Sequence, residues 1–228
     1  MGTNRRGDRK MIKPNWTYVD MDGVIADFFK ALALEFGVNH WKDIPTQEDV
    51  IERLSGTDFF SRIPIFPTTI KFLHMVERYT KGRWSILSTP LKGDEENSSK
   101  HKDIWLDNLF GYAFDNDFNK KRFYSAYKWK WATLYGEKPN LLIDDRPTNL
   151  EEFKEHGGLT IRYQANESKL DKFEQKLKDL FQPLATKELQ HGKTNTKQNN
   201  LPSLLKGNNT LWKAWNNNQK QWICSAYL

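Results

Sequence analysis

The chain has 228 residues, a formal net charge of +6, 38% hydrophobic residues and a single cysteine, Cys224. A chain of this length can bury one substantial core and carry a small insertion. One cysteine excludes an intramolecular disulfide, and the sequence has neither an apolar run long enough to span a bilayer nor a signal-peptide h-region. We therefore expect a soluble protein of the cytoplasm, without membrane association.

The positive charge is concentrated at the two ends of the chain. Residues 1–13 carry five Lys or Arg against Asp8, and residues 183–228 carry six lysines against Glu188, which leaves residues 14–182 net acidic. We predict a disordered basic arm at 1–13, one globular domain at 14–182 and a polar basic tail at 183–228 with a tryptophan-bearing end. Basic tails typically make weak, nonspecific contacts with polyanions, so weak nucleic-acid contact is the partner expected of them.

The first predicted strand, at 16–20, is an apolar run that stops at two aspartates, Asp20 and Asp22. A helix is predicted at 27–36, ended by Gly37. The stretch 27–66 is rich in aromatic residues, and we interpret it as a small helical cap inserted above the edge of the sheet. An ordinary crossover with a long loop is the alternative.

The rest of the chain alternates between helical and strand patterns. Helices are predicted at 69–79, 101–109, 127–135, 149–156 and 170–181, strands at 84–87, 112–114, 141–143 and 159–163, and a polar loop at 92–99. Strands that alternate with helices predict an α/β fold with a Rossmann-like parallel sheet.

Polar side chains follow three of the predicted strands. Asp20 and Asp22 end the first, Ser88 and Thr89 the second, and Asp144 and Asp145 the strand at 141–143. A parallel sheet brings the carboxyl ends of its strands to one edge, where ligands of open α/β sheets bind. Four carboxylates in one cleft repel one another unless a divalent cation lies among them, and a lysine would complete the charge balance.

These three segments resemble the first, second and fourth motifs of the haloacid dehalogenase superfamily. The matching stretches are Asp-Met-Asp-Gly-Val at 20–24, Leu-Ser-Thr-Pro at 87–90 and Leu-Leu-Ile-Asp-Asp-Arg at 141–146. Within that superfamily the chain is similar to the 5′(3′)-deoxyribonucleotidases and their phage and bacterial relatives, through residues 20–28, 58–60, Asn149 and 157–158. The resemblance covers roughly residues 16–165 and implies a Rossmann-like core with a small cap inserted after the first strand.

The resemblance assigns roles to the strand-end residues. Asp20 would be the nucleophile that forms an aspartyl-phosphate, and Asp22 the general acid and then the general base. Mg²⁺ would be held by Asp20, the backbone carbonyl of Asp22 and Asp145, with Asp144 as a second ligand or an outer acceptor. Ser88 and Thr89 would bind the phosphoryl oxygens.

The lysine of the third motif is ambiguous in this sequence. Lys128 and Lys130 both precede the Asp-Asp strand at the expected place, and we favour Lys128. Lys102 matches a second phosphate-binding lysine of the nucleotidases, with Lys100 as its rival. The alternative for each of these lysines is a place on a solvated helix face.

The substrate prediction depends on two aromatic residues. Phe28 and Phe60 match cap positions that line the base pocket of the nucleotidases, and an aromatic face contributes about 1–3 kcal/mol of base stacking. The alternative is that both rings are core residues. Trp41 and Phe59 are predicted to pack, Arg146 to anchor the loop after the Asp pair, and the five histidines to have no metal-binding role.

We therefore predict a Mg²⁺-dependent phosphomonoester hydrolase acting on deoxyribonucleoside 5′(3′)-monophosphates. The alternatives are a phosphatase of nucleic-acid ends, aided by the basic tails, and a non-catalytic binding protein that retains the fold. The sequence leaves open the preferred base and sugar, the role of the tail and the oligomeric state.

Overall fold

A computed structural model describes residues 13–114, 120–134 and 138–181. All of them belong to one compact unit, Met1–Leu184, while the second unit, Ala185–Leu228, lies outside the described residues. The predicted basic arm, apart from Lys13, and the predicted tail are therefore outside the described part of the chain.

Five parallel strands form the central sheet. Its strands are β1 (Thr17–Val19), β2 (Trp84–Ser88), β3 (Arg122–Tyr124), β6 (Leu141–Asp144) and β7 (Leu159–Arg162). They lie in the spatial order β3-β2-β1-β6-β7, and every neighbouring pair is parallel. The two remaining strands, β4 (Thr133–Leu134) and β5 (Lys138–Pro139), form a separate antiparallel pair. The predicted α/β fold with a parallel sheet is confirmed.

Helices connect and cover the strands. They are α1 (Phe28–Glu35), α2 (Gln47–Leu54), α3 (Thr69–Thr80), α4 (Glu95–Ala113), α5 (Pro147–Glu155) and α6 (Leu170–Phe181). Short 3₁₀ helices occupy Trp41–Asp43, Phe59–Ser61 and Lys128–Trp131. In the described part of the chain, no helix has both the length and the apolar character needed to cross a membrane.

The core lies on both faces of the sheet. On one face, side chains from three neighbouring strands form a cluster with two residues of α5; this cluster includes Tyr18, Leu87, Leu142, Leu150 and Phe153. The residues that alternate with them, such as Val19 and Ile143, are fully buried as well. Burial of both faces is why the strands appear in the sequence as continuous apolar runs rather than as an alternating pattern.

The segment between β1 and α3 is helical and leaves the sheet at a narrow neck. Ala26 forms an antiparallel bridge with Ile65, and Asp27 N donates a hydrogen bond of 2.8 Å to Pro64 O. The two ends of the segment therefore lie side by side. This is the geometry expected of an insertion, and the interpretation of residues 27–66 as a cap stays a prediction.

Two predicted elements around α4 are wrong. The stretch 92–99, predicted as a loop, contains the first turn of α4, and the strand predicted at 112–114 belongs mostly to its last turn. The polar residues Glu95 and Glu96 favour a helix N-terminus, because negative side chains there interact with the helix dipole. The strand that pairs with β2 is β3, further along the chain.

The helix predicted at 127–135 is also wrong. A single 3₁₀ turn, Lys128–Trp131, is followed by β4. The carbonyl of Ala132 accepts a hydrogen bond from Asn140 N at 2.8 Å, and the side chain of Asn140 donates to Trp131 O at 2.8 Å. These carbonyls are thus used by a distant residue, and the turn does not continue as a helix.

Candidate active site

The site lies where β1 and its two neighbouring strands end. Val19 pairs with Ile86 of β2 on one side and with Ile143 of β6 on the other. Asp20 N donates a hydrogen bond of 2.9 Å to Ile143 O, which places the carboxyl ends of β1 and β6 next to each other. The predicted meeting of three strand ends is therefore found in the structure.

Three buried carboxylates form a cluster at this edge. One carboxylate oxygen each from Asp20, Asp144 and Asp145 lies within 4.8 Å of the others. Lys128 is buried among them, with its Nζ 2.8 Å from Asp20 Oδ1 and 2.6 Å from Asp144 Oδ2. One ammonium against three carboxylates leaves an excess of two negative charges when all are ionised, and a single dication would neutralise it.

The excess negative charge affects the pKa values of the ionisable groups in the cluster. Burial, together with the charges of Asp144 and Asp22, raises the pKa of Asp20 to about 6, although Lys128 opposes the shift. Burial and the charges of Asp20 and Asp144 raise the pKa of Asp145 to about 8. For Lys128, burial lowers the pKa, but the two neighbouring carboxylates outweigh it and the pKa is raised. The cluster therefore favours added positive charge.

Asp144 is the most fully hydrogen-bonded of the three carboxylates. Its Oδ2 accepts from Lys128 Nζ at 2.6 Å and from Asn149 Nδ2 at 3.0 Å. Its Oδ1 accepts from Arg146 N at 2.8 Å and from Asn149 Nδ2 at 3.2 Å. Two roles are predicted for Asp144, that of a metal ligand and that of an outer acceptor. Because both of its carboxylate oxygens already accept hydrogen bonds, the structure favours the outer acceptor.

Asp145 is bonded differently. No residue in the described part of the chain donates a hydrogen bond to its carboxylate, although the side chain is buried. Asp20 Oδ2 likewise has no described donor, while Asp20 Oδ1 accepts from Met21 N at 2.8 Å. Buried carboxylate oxygens without donors are suited to a hard cation such as Mg²⁺.

Gly23 makes room for Asp145. Its φ of +76° lies in the left-handed region, and a Cβ built on it would overlap the Asp145 carboxylate. Gly23 O also accepts a hydrogen bond from Ala165 N at 2.9 Å. The backbone of the turn after β1 therefore passes so close to Asp145 that only glycine fits.

A second ionic group lies beside the first and contains Asp22. The Nζ of Lys102, which is fully buried, lies 2.6 Å from Asp22 Oδ2, 2.9 Å from Ser88 Oγ and 2.7 Å from Thr89 O. Asp22 Oδ1 is buried and has no hydrogen-bond partner among the described residues. Lys102 thus connects the ends of β1 and β2, as Lys128 connects those of β1 and β6.

The structure separates the four candidate lysines. Lys128 and Lys102 are buried in the two ionic groups, whereas Lys100 and Lys130 are exposed. Lys130 Nζ lies over the rings of Tyr127 and Trp129, at 5.0 and 5.8 Å from their centroids. Lys130, the less favoured candidate for the lysine of the third motif, is therefore not part of the carboxylate cluster.

The motif hydroxyls differ in accessibility. Ser88 is fully buried, and its Oγ accepts from Lys102. Thr89 is half-buried, and its Oγ1 donates a long bond of 3.4 Å to Ser125 O. Thr89 is therefore the more accessible of the two for a ligand.

The two predicted stacking residues contact each other. The Phe28 and Phe60 rings are nearly parallel, with an interplanar angle of 12° and centroids 6.2 Å apart. Phe60 is 3% exposed and lies under Lys102, whose Nζ is 4.9 Å from its ring centroid. Phe60 is therefore a packed core residue, which is the alternative predicted for it. Phe28 is half-buried and remains partly exposed.

Sequence reasoning did not assign a role to Asn149 or Arg162. Asn149 donates to both oxygens of Asp144, and Arg162 Nε donates to Asp145 O at 3.3 Å. An amide in the first turn of the helix that follows the Asp pair was a usable signal for Asn149. Nothing in the sequence around Arg162 indicates its partner, because it lies on the next strand.

The chain was compared with known proteins. No family model matches the sequence, and no curated protein is significantly similar to it. Among solved structures, a hydrolase from Streptococcus pneumoniae TIGR4 is 14% identical with a TM-score of 0.42, and the match covers 73% of this chain and 99% of that one.

Two further structures are described as HAD family proteins. A hydrolase from Deinococcus radiodurans R1 with bound phosphate and sodium is 12% identical, with a TM-score of 0.34 and coverage of 64% of this chain and 79% of that one. An enzyme from Bacteroides thetaiotaomicron in a magnesium complex is 15% identical, with a TM-score of 0.36 and coverage of 72% and 99%. The function of this chain therefore has to come from the chemistry of its own site.

Proposed function

We propose that this protein is a Mg²⁺-dependent phosphomonoester hydrolase of the haloacid dehalogenase type, with Asp20 as the nucleophile. The observation that carries the proposal is the buried Lys128, whose Nζ pairs with both Asp20 and Asp144 beside Asp145. A structural ion pair would not need a third buried carboxylate without donors, whereas a metal-assisted phosphoryl site needs one.

The proposed reaction has two steps. Asp20 Oδ2 attacks phosphorus, the ester P–O bond breaks, and the leaving alkoxide takes a proton from Asp22. Water then attacks the aspartyl-phosphate, Asp22 accepts its proton, and orthophosphate leaves with the Asp20 carboxylate restored. Because Asp20 Oδ1 is held by Met21 N and Lys128, the attacking oxygen is oriented by the backbone.

Asp22 needs to exchange its partner for this cycle. In the structure its Oδ2 is ion-paired with Lys102 Nζ at 2.6 Å. A phosphoryl group between Lys102 and Thr89 would compete for the ammonium and free Asp22 to carry a proton. Lys102 would then couple substrate binding to the readiness of the general acid.

The residues present fit Mg²⁺. Asp145 supplies carboxylate oxygens without described donors, Asp20 would offer the carboxylate oxygen that does not attack phosphorus, and the charge of the cluster calls for a dication. Bound there, the ion would offset the charge of the phosphoryl oxygens during transfer. Asp144 would hold Lys128 and Asn149 in place rather than bind the ion directly.

For the substrate we propose a nucleoside monophosphate, with deoxyribonucleoside 5′(3′)-monophosphates as the first class to test. Phe28 is partly exposed and packs against Phe60, which lies under Lys102, and this supports a planar base in the leaving group. A phosphatase of nucleic-acid ends uses the same chemistry and is the second candidate. A non-catalytic role is disfavoured, because every group that the reaction needs lies in one place.

The test is Mg²⁺-dependent hydrolysis of p-nitrophenyl phosphate by the wild type and by Asp20→Asn. We expect the variant to lose at least ~10³-fold in kcat, as is typical when a covalent nucleophile is removed. Asp171→Asn, an exposed aspartate at the start of α6, is the matched control and should keep full activity. Equal rates in wild type and Asp20→Asn would overturn the proposal.

A trapping experiment tests the intermediate directly. Hydroxylamine converts an acyl phosphate into a hydroxamate at the carboxyl carbon, so mass spectrometry of the quenched reaction should find this modification on Asp20. Modification of another carboxylate would show that the nucleophile is misassigned.

A further inference from the structure

A cleft of about 380 Å³ opens beside Phe29 at the start of α1. Its lining includes Phe29, Trp41, Lys42, Asp145, Arg146 and Arg162. Phe28 packs against Phe60 and so towards Lys102, whereas Phe29 packs against Trp41, with ring centroids 4.8 Å apart. The cleft is therefore lined by Phe29 rather than by Phe28, and it reaches the carboxylate cluster through Asp145.

The cations of this cleft lack acidic partners. In the described ranges no carboxylate lies within ion-pair distance of Arg146, Arg162 or Lys42. Arg162 donates only to the backbone oxygen of Asp145, and Lys42 Nζ lies 5.7 Å from the Trp41 ring centroid. Glu167, the acidic residue of the lining apart from Asp145, accepts from Gln164 at 3.2 Å. Elsewhere in the described part of the chain, Arg53, Arg62, Arg78 and Arg122 do pair with carboxylates.

The surroundings of these cations favour an anion with several oxygens. Arg146 is the N-cap of α5, so the positive end of the helix dipole faces the same region. Guanidinium groups bind phosphate through two parallel N–H bonds, which an ammonium cannot do. Trp41, 36% exposed, adds an aromatic surface beside the charges.

We propose that this cleft is a second phosphate subsite and that the preferred substrate carries a second phosphate close to the one that is hydrolysed. The inference rests on the proposed function, because it places the first phosphate at Asp20. The second phosphate can be the monoester of a nucleoside bisphosphate or the terminal phosphodiester of an oligonucleotide. The two share the chemistry that Arg146, Arg162 and Lys42 would recognise.

The experiment compares three substrates through phosphate release. They are thymidine 5′-monophosphate, thymidine 3′,5′-bisphosphate and 5′-phosphorylated dithymidylate, measured with Mg²⁺ at equal ionic strength. We expect kcat/KM to be about tenfold higher for at least one of the two substrates that carry a second phosphate, the effect of one charge-assisted contact. A higher value for the bisphosphate identifies a small-molecule substrate, and one for the dinucleotide identifies a nucleic-acid end.

Variants then assign the preference to the cleft. Arg146→Gln and Arg162→Gln should each lower the ratio of kcat/KM between the preferred substrate and the monophosphate by about tenfold. Arg83→Gln is the matched control, because Arg83 is exposed at the opposite end of the sheet, just before β2. In Arg83→Gln the ratio of kcat/KM between the preferred substrate and the monophosphate should equal that of the wild type.

Two results would overturn the subsite. One is a wild type that hydrolyses all three substrates with equal kcat/KM, which leaves the proposed function standing. The other is a preference that both arginine variants retain. If no substrate is hydrolysed, calorimetry of the full-length wild type with the bisphosphate decides the question, since the subsite requires tighter binding of the bisphosphate than of the monophosphate and a loss of that difference in Arg162→Gln.

Discussion

Lys128 and Asp144 form an ion pair of 2.6 Å between two buried side chains, and the same ammonium lies 2.8 Å from Asp20. A lysine in this position does two things: it partly neutralises the cluster, and it holds the carboxylates of Asp20 and Asp144 on one ammonium. The consequences for stability and for catalysis can be measured separately.

Lys128→Met should be defective in both respects. Removing one partner of a buried pair costs about 3–5 kcal/mol of unfolding free energy, since the other charge is left uncompensated. Loss of the ammonium beside the phosphoryl site should lower kcat by about 10²–10³-fold. Urea unfolding and hydrolysis of p-nitrophenyl phosphate are the measurements.

Lys130→Met is the control for this variant, because Lys130 belongs to the same short 3₁₀ helix and is exposed. It should match the wild type in both assays. If Lys130→Met loses activity and Lys128→Met keeps it, the assignment of the motif lysine is reversed.

The stabilisation by Mg²⁺ should depend on pH. The pKa of Asp145 is raised from 3.8 to about 8 and that of Asp20 to about 6, so the folded metal-free protein holds protons that the unfolded chain releases. Metal-free stability therefore falls as the pH rises from about 4 to about 8, and Mg²⁺ binding replaces those protons.

Thermal unfolding with Mg²⁺ and with EDTA measures this linkage. The increase in Tm on adding Mg²⁺ should be larger at pH 8.5 than at pH 5.5. In Asp145→Asn, which cannot titrate at this position, the difference between the two pH values should shrink. A Tm increase that is the same at both pH values would contradict the prediction.

Gly23→Ala should weaken metal binding. The substitution forces a side chain into the left-handed region, at about 1–3 kcal/mol, and its Cβ would overlap the Asp145 carboxylate. We expect the Mg²⁺ concentration needed for half-maximal activity to rise at least tenfold.

Gly93→Ala separates strain from contact. Gly93 has a φ of +80°, and a Cβ there has no neighbour within 4 Å. This variant should lose similar stability but keep the Mg²⁺ requirement of the wild type. Equal Mg²⁺ requirements in the two variants would show that the close approach of Gly23 to Asp145 has no role in binding the ion.

Asn149→Ala should reduce activity through Asp144. The amide donates to both oxygens of that carboxylate, and losing such a supporting hydrogen bond typically costs about 10–100-fold in activity or metal affinity. We expect a lower kcat with little change in KM, since Asn149 would act on Asp144 rather than on substrate. Thr148→Ala, an exposed neighbour in α5, should behave as the wild type, and equal kinetics for both variants would refute the role of Asn149.

The meeting of three strand ends at one edge could be predicted from the sequence because each buried run stops at a charged or hydroxyl residue. Asp20, Ser88 and Asp144 are brought together by strand pairing alone, which alternating helices and strands already imply. The sequence favours Lys128 over Lys130 but does not decide between them. The direction of each side chain depends on the type of turn, and the sequence does not show the turn type.

Other features were out of reach for physical reasons. The sequence predicts a loop at the first turn of α4, because polar side chains favour both loops and the first turns of helices. The cleft joins residues near 41, 145 and 162, which no local pattern connects. The resemblance predicts a base contact for both Phe28 and Phe60, with core packing as the alternative, and the structure packs Phe60 under Lys102.

The neck between Ala26 and Ile65 affects which parts of the sequence can be altered without disturbing the fold. Because the chain leaves and re-enters the domain at neighbouring residues, the excursion between them can be lengthened, shortened or exchanged while β1 and α3 keep their positions. Phe28, Phe29 and Trp41 lie on that excursion, whereas Asp20, Lys128 and Asp144 do not. The proposed base contact of Phe28 and the proposed phosphoryl chemistry of Asp20 are thus carried by parts of the chain that can vary independently.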